Sequence, residues 1–182
     1  MNRWPILMVL VLLMAGCQSN ALLRDYDPGR DFGAYRTWQW QEPAVLYSPD
    51  NPRLRSDLTE QRLRDAMLQE MEQRGLRQAA PGQPADLKVQ VSLMLDTRIE
   101  EFRSLHGGYW GYPWYGPVFQ DVRTYEYEVR TVQIDLFDGR DGRLIWRAAR
   151  EDLPDAGNAH PSERSAALQR SVRALLQYYP PQ

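Results

Sequence analysis

His106 and His160 are the only histidines of the 182-residue chain, and histidine is the side chain best suited to acid–base or metal chemistry near neutral pH. A zinc or acid–base site needs further ligands at helical or hairpin spacing, and the sequence has no HExxH, no CxxC and no second cysteine. It has no G-x-S-x-G nucleophile motif either. We therefore predict no catalytic residue, no metal site and no cofactor.

Two groups of glutamates on predicted strands, Glu100-Glu101 and Glu126/Glu128, could also do acid–base chemistry. On neighbouring strands they would form the paired carboxylates that a glycosidase uses. The alternative is a solvated sheet face with cross-strand ion pairs, because arginines stand among the glutamates. We favour the solvated face. The arginines are Arg98, Arg103, Arg123 and Arg130.

The predicted strands and helices do not account for a stretch at residues 105–119 that is rich in glycine, proline and aromatic residues. Aromatic side chains combine a large apolar area with a polar tip, which suits a protein interface, sugar stacking or a lipid headgroup boundary. The alternative is a loop that folds over an edge of the core and buries its own rings. We predict that these residues bind a partner or ligand. His106 is included, because the two glycines that follow it would let the backbone come close to a ligand. The aromatic residues are Tyr109, Trp110, Tyr112, Trp114, Tyr115 and Phe119.

Cys17 is the only cysteine of the chain, so it has no disulfide partner within it. The residues before it comprise a positive start at Arg3 and a nine-residue apolar run from Ile6 to Met14, followed by two small residues. This order is typical of a secretory signal peptide, and the apolar run is too short to span a bilayer. The pattern predicts a signal peptide at residues 1–16.

The segment Leu13-Met14-Ala15-Gly16-Cys17 resembles the lipobox of bacterial lipoproteins, with Met14 where that pattern usually has leucine. The resemblance implies cleavage before Cys17 and acylation of its thiol, which would anchor the protein to a membrane. It also implies the periplasmic face of the outer membrane, because Gln18 replaces the aspartate of the inner-membrane retention signal.

Length and charge restrict the remaining possibilities. Without residues 1–16 the chain has 166 residues, enough for a single domain with a substantial core. The whole chain carries 22 basic and 24 acidic residues, a near-neutral mixture that does not predict nucleic-acid binding. We expect residues 17–31 to be a lipidated N-terminus and tether, and residues 32–182 to be the folded domain.

The spacing of apolar residues predicts four strands and two helices. The helices should face the core with two apolar stripes, Leu63, Ala66, Met67 and Met71 in the first and Leu168, Val172, Leu175, Leu176 and Tyr179 in the last. Alternation from Leu87 to Leu95 indicates a sheet with one buried face, as in antiparallel sheets. In the next strand the apolar positions change phase, so we expect a bulge near Arg130-Thr131. The order β-α-β-β-β-α predicts a single α+β domain with a mainly antiparallel sheet and both helices on one face. In chain order, the predicted elements are a strand at 32–40, a loop at 41–53, a helix from Pro52 to about Arg74, a strand at 87–99, a strand at 122–137, a hairpin turn at 138–142, a strand at 143–150 and a helix within 161–178.

Several short motifs along residues 22–181 together resemble the DUF4136 family of small bacterial lipoproteins, whose function is unknown. The resemblance implies an envelope location and the same α+β order, and it carries over no catalytic residues. The motifs are Asp25-Tyr26-Asp27-Pro28, Asp31-Phe32, Tyr35-Arg36-Thr37-Trp38, Glu72-Gln73-Arg74-Gly75-Leu76, Ala85-Asp86-Leu87-Lys88-Val89, Leu144-Ile145-Trp146-Arg147 and Tyr179-Pro180-Pro181.

The sequence therefore favours a membrane-anchored periplasmic lipoprotein that is a non-enzymatic binding or structural component of the cell envelope. Its expected partners are the membrane, through the lipid on Cys17, and an envelope protein or cell-wall glycan. Two alternatives remain open at this point: an envelope enzyme acting on glycan or lipid, and a small-ligand-binding module that uses the loop at 105–119.

Overall fold

Six strands and two α-helices make up the part of the chain that the structure describes, a computed structural model covering residues 22–50, 55–106, 119–152 and 160–181. A short 3-10 helix, Phe32–Ala34, lies between the first two strands. The strands and helices in chain order are β1 (Leu22–Tyr26), β2 (Thr37–Ser48), α1 (Asp57–Gln73), β3 (Arg77–Gln78), β4 (Leu87–His106), β5 (Phe119–Asp138), β6 (Leu144–Asp152) and α2 (Pro161–Leu176).

All six strands belong to one mixed sheet in the order β1-β6-β5-β4-β2-β3. The pairs β1–β6, β6–β5 and β5–β4 are antiparallel, whereas β2 runs parallel to both β4 and β3. The parallel pair arises because α1 returns the chain to the end of the sheet where β2 began. The predicted single α+β domain is confirmed, with a sheet that is mixed rather than antiparallel throughout.

The sheet begins earlier in the chain than the aromatic pattern predicts. β1 lies within the predicted tether and pairs with β6, from Leu22 opposite Arg150 to Tyr26 opposite Trp146. The prediction that the first strand starts at Phe32 is wrong, because a turn replaces the extended chain there. The Asp31 side chain accepts a hydrogen bond from the Gly33 amide at 3.0 Å, and such local bonds compete with strand pairing.

β2 continues through residues 41–48, which we predicted to be loop because of their prolines. Proline is tolerated in a strand where the ladder is interrupted. The pairing of β2 with β4 shifts between Trp40 and Val45, and Pro43 lies within this irregularity. The loop prediction is therefore wrong for residues 41–48.

The change of phase in β5 does not produce a bulge at Arg130-Thr131. β4 and β5 pair without interruption over their full length, and the irregularity in β5 lies between Leu136 and Phe137, against β6. Val129 is buried on the opposite face of the sheet from Val132. Apolar residues on both faces account for the phase change, so the predicted bulge is wrong.

Both helices pack on one face of the sheet and close a single core. The predicted apolar stripes are confirmed, because Leu63, Met67 and Met71 of α1 are fully buried beside Val172 and Leu175 of α2. The inward residues of the strands complete the core, with full burial of two tryptophans. Neither helix in the described ranges is long and apolar enough to cross a membrane. The main strand contributions are Trp38, Leu87, Val89, Val91, Val132, Ile134, Leu136 and Trp146.

A buried carboxylate, Glu70, joins the two helices through ion pairs. Its side chain is only 1% exposed, and its two oxygens accept hydrogen bonds from Arg74 at 2.8 Å and Arg173 at 2.9 Å. Burial alone would raise the pKa of Glu70, but the two guanidinium groups outweigh it and hold the pKa below its ordinary value. Arg74 also donates to the Leu176 carbonyl at 2.7 Å, which fixes the end of α2.

We expect Glu70→Gln to lower the free energy of unfolding by roughly 1–3 kcal/mol, because two charge-assisted hydrogen bonds are weakened at a buried position. Urea unfolding followed by circular dichroism would measure this loss. Because the folded pKa lies below the unfolded value, the stabilisation is complete above the ordinary pKa of 4.5 and is lost as the pH falls through the folded pKa. Glu72→Gln, at an exposed position of the same helix, is the control. Equal stability of the two variants near pH 7 would contradict the assignment.

Candidate functional site

β4 and β5 extend far beyond the rest of the sheet and pair there only with each other among the described residues. The pairing of β2 with β4 ends at Ser48 opposite Met94, and the pairing of β6 with β5 ends at Asp152 opposite Arg130. Residues 96–106 and 119–129 therefore form a two-stranded antiparallel ribbon, here called the ribbon. At roughly 3.3 Å per residue, its length is about 36 Å.

The predicted binding residues lie at and beyond the far end of the ribbon. His106 ends β4 and stands opposite Phe119, the first residue of β5. Residues 107–118, which join these two positions along the chain, lie outside the described residues, as does Cys17. They include the other predicted aromatic residues, Tyr109, Trp110, Tyr112, Trp114 and Tyr115.

The ribbon exposes large apolar side chains on both of its faces. Ile99 (65% exposed) and Val122 (49%) lie on the face that continues the core side of the sheet. Phe102 (62%) and Tyr125 (54%) lie on the opposite face. Phe102 and Tyr125 occupy diagonal positions of their face, within reach of each other, whereas Ile99 and Val122 are four strand positions apart.

The glutamates of the ribbon divide between its two faces. The register places Glu101, Glu126 and Glu128 on the face that continues the core side of the sheet and Glu100 on the opposite face. Glu100 accepts a hydrogen bond from the Tyr127 hydroxyl at 2.7 Å, which raises the pKa of that tyrosine. Glu101 pairs with Arg103 of its own strand at 3.1 Å. This arrangement agrees with the solvated face that we favoured.

Two of the arginines that stand among these glutamates, Arg98 and Arg123, pair with other carboxylates. Arg98 pairs with Glu151 of β6, and Arg123 pairs with Asp121 at 3.0 Å. In the part of the chain that the structure describes, no group of three histidine, cysteine, aspartate or glutamate side chains could hold a metal ion.

His160 has a structural role at the start of α2. Its Nδ1 accepts from the Ser162 amide at 3.4 Å, and its own amide donates to the Glu163 side chain at 2.8 Å. Together these contacts form a capping box, which satisfies backbone donors that the first turn of a helix leaves free.

An ion cluster ties the turn after β1 to the β5–β6 hairpin. The Arg30 guanidinium donates to Asp138 at 3.0 Å, Asp141 at 2.6 Å and Asp27 at 3.3 Å. Asp138 is 4% exposed and also accepts from the Tyr35 hydroxyl at 2.8 Å. The predicted hairpin turn at residues 138–142 is confirmed, and its aspartates serve to hold Arg30.

Burial and charge act in opposite directions on this cluster. Burial raises the pKa of Asp138, but the Arg140 amide and the Tyr35 hydroxyl, helped by Arg30, hold it below its ordinary value. Burial and the hydrogen bond to Asp138 raise the pKa of Tyr35 to about 12. Asp138 therefore stays ionised and Tyr35 neutral near pH 7, which keeps both hydrogen bonds in place.

A second carboxylate, Asp86, holds the parallel pair β2–β4 together at its start. One of its oxygens accepts from the Arg36 amide at 2.9 Å and from the Thr37 amide and hydroxyl, each at 3.0 Å. The Asp86 amide donates to the Thr37 hydroxyl at 3.0 Å. The motifs that carry the family resemblance thus supply Asp27, Tyr35, Thr37 and Asp86 to structural bonds.

A shallow groove of about 370 Å³ lies between β1 and the C-terminal residues, far along the chain from the aromatic segment. Its lining includes Arg24, Tyr178 and Pro180. The Arg24 guanidinium stands 4.9 Å from the centre of the Tyr178 ring, a cation–π contact. The sequence does not indicate this groove, because the residues that line it come from opposite ends of the chain.

The chain matches the family described as "Domain of unknown function (DUF4136)" over residues 23–181. A DUF4136 family protein from Bacteroides thetaiotaomicron VPI-5482 is similar in structure, with a TM-score of 0.50 and 19% identity, over 88% of this chain and 95% of its own. No curated protein matches the sequence.

Two further solved structures resemble the fold. A PDZ domain protein from Parabacteroides distasonis ATCC 8503 has a TM-score of 0.54 and 14% identity over 88% of this chain. The chain spans 35% of that protein, about a third of its length. The PelC dodecamer from Paraburkholderia phytofirmans has a TM-score of 0.47 and 12% identity, over 86% of this chain and 94% of its own. At these identities the similarity concerns the fold alone.

We expect Asp138→Asn to destabilise the protein by about 1–3 kcal/mol, because the half-buried Arg30 and Tyr35 donors lose a charged acceptor at a buried position. Thermal and urea unfolding would measure the change. The matched control is Asp121→Asn, which removes an exposed ion pair on the ribbon and should cost at most about 0.5 kcal/mol. An Asp138→Asn variant as stable as the control would show that the cluster contributes little.

Proposed function

The chain belongs to the DUF4136 family, and we propose from its own residues that it is a lipid-anchored protein of the outer membrane that binds another component of the cell envelope. In this proposal the protein is not an enzyme, and the aromatic segment at residues 107–118, flanked by His106 and Phe119, makes the contact. The observation that carries the proposal is the ribbon, because it places both ends of that segment about 36 Å beyond the last strand pairs of the sheet.

The roles of the chain's acid–base groups support binding over catalysis. In the described ranges, His160 caps a helix, and Glu70, Asp86 and Asp138 hold structural hydrogen bonds. Exposed apolar residues along the ribbon, such as Phe102 and Tyr125, are instead of the kind found at protein interfaces.

The lipobox resemblance at Leu13–Cys17 supports the membrane anchor. β1 begins at Leu22, so five residue steps separate it from Cys17, at most about 18 Å of extended chain. β1 also starts at the end of the sheet from which the ribbon projects, because Leu22 pairs with Arg150 and Arg150 with Val132. A partner of the aromatic segment would therefore lie within a few tens of ångströms of the membrane.

Replacing the five aromatics at positions 109–115 by serine should lower recovery of an envelope partner by at least about tenfold, because interface aromatics contribute much of the binding energy. The measurement is crosslinking in intact envelopes followed by pull-down and quantification. Tyr178→Ser, at an exposed tyrosine outside the ribbon, is the control and should recover the partner as the parent does. Unchanged recovery with the serine variant would overturn the proposed contact. Release of glycan or lipid fragments by the purified protein would favour the enzyme alternative.

Cys17→Ser should move the protein out of the membrane fraction, because without the thiol no acyl chains can be attached. Fractionation of cells and metabolic labelling with a fatty acid would show this. Met14→Leu restores the usual lipobox residue and should remain labelled and membrane-bound. A Cys17→Ser protein that still sediments with membranes would contradict anchoring through this residue.

A further inference from the structure

One edge of the ribbon is an unpaired strand edge within the described residues. On the side where β2 pairs with β4, the pairing stops at Met94, and none of the described strands lies beside residues 95–106 on that side. Such an edge presents a row of backbone donors and acceptors to any extended chain that approaches it. Isolated two-stranded ribbons are also marginally stable in water, so a third strand would stabilise this one.

We propose that the occupant of this edge is the same edge of a second copy of the chain. The two β4 strands would pair antiparallel about a two-fold axis at Phe102, and the two ribbons would become one four-stranded sheet. Residues 98–106 of each copy take part. This inference does not depend on the lipid anchor or on the aromatic segment.

The charges along the edge favour this register. With the axis at Phe102, Glu101 of each copy stands opposite Arg103 of the other, which gives two cross-strand ion pairs and no like-charge pair. An axis at Arg98, Glu100, Glu101 or Arg103 would instead place two identical charges face to face.

An axis at Ser104 or Leu105 also avoids like charges, but within the described range it pairs only five or three residues of each copy instead of nine. An axis at Ile99 avoids like charges as well, since it places Arg98 opposite Glu100. It is excluded by the neighbouring strand. In that register, residues 104–106 of one copy would stand opposite Met94, Leu93 and Ser92 of the other. β2 already occupies those positions through Ser48, Tyr47 and Leu46.

The apolar residues of the ribbon agree with an axis at Phe102. Phe102 is 62% exposed, and on the axis it would face its own copy across a single strand spacing. Ile99, 65% exposed, would stand opposite position 105, which is leucine. Pairing would thus cover two of the largest exposed apolar side chains of the ribbon.

Cysteine crosslinking of the full-length protein in intact cells tests the register. With copper phenanthroline as oxidant, Phe102→Cys should give about tenfold more disulfide-linked dimer than Val122→Cys, because disulfide formation needs Cβ atoms about 4 Å apart. Val122 is an exposed apolar residue on the other strand of the ribbon, and in the proposed dimer three strand spacings, about 14 Å, separate its two copies. The parent chain, whose only cysteine is Cys17, gives the baseline.

A charge-reversal cycle in the Phe102→Cys protein separates pairing from random collision. Glu101→Arg should reduce the yield of disulfide-linked dimer about fivefold, because it places an arginine opposite Arg103 of the other copy. Combining it with Arg103→Glu should restore the yield to within about twofold, because the opposite charges face each other again. Three results would each overturn the proposal. They are equal dimer yields from Phe102→Cys and Val122→Cys, a higher yield from Val122→Cys, and a yield that Glu101→Arg leaves unchanged. If Phe102→Cys fails to accumulate, Glu100→Cys with Ser104→Cys, which face each other in the same register, takes its place, and absence of dimer there would also overturn it.

Discussion

The uninterrupted pairing of β4 with β5 is the constraint on which the rest of the structure depends. Its lower half carries β2 on one side and β6 on the other, and both helices cover one of its faces. Its upper half has neither flanking strands nor helices against it among the described residues. One pair of strands therefore serves both as the centre of the domain and as the ribbon. Because the register is continuous from Leu87 to His106, the direction of the ribbon is set by the packing of the core.

Much of this fold follows from the sequence because its signals are local. The alternation from Leu87 and the apolar stripes at Leu63–Met71 and Leu168–Leu176 are each decided within one element, and the structure confirms them. The first strand fails for the opposite reason. The residues Leu22–Tyr26 alternate too briefly to indicate a strand, and they become one because β6, more than a hundred residues later, offers them an edge. The prediction at Pro43 failed similarly, since the irregular pairing of β2 with β4 is what lets the strand accommodate this proline.

The same difference between local signals and distant contacts decides which parts of the candidate site could be predicted. Composition alone identifies the aromatic segment, but the strand predictions cover the ribbon only in part, because glutamate and arginine replace the apolar residues that indicate a strand beyond Ile99. The buried carboxylates were missed as well. Glu70 resembles any surface charge of a helix until α2 brings Arg173 to it, and Asp138 resembles a turn residue until Arg30 reaches it. Conversely, the glutamates of the ribbon had sequence spacing in their favour, yet Glu100 binds Tyr127 on one face and Glu101 pairs with Arg103 on the other.

The position of β1 at the sheet edge has a consequence for the order in which the molecule can form. Its partner β6 begins at Leu144, and Arg30, just after β1, bonds to Asp138 and Asp141 of the adjoining hairpin. The N-terminal residues therefore have no native partner until more than three quarters of the chain has been made. β1 can therefore join the sheet only after β6 has been made. Sequence-distant contacts of this kind slow folding, so we expect this edge of the sheet to close late in folding.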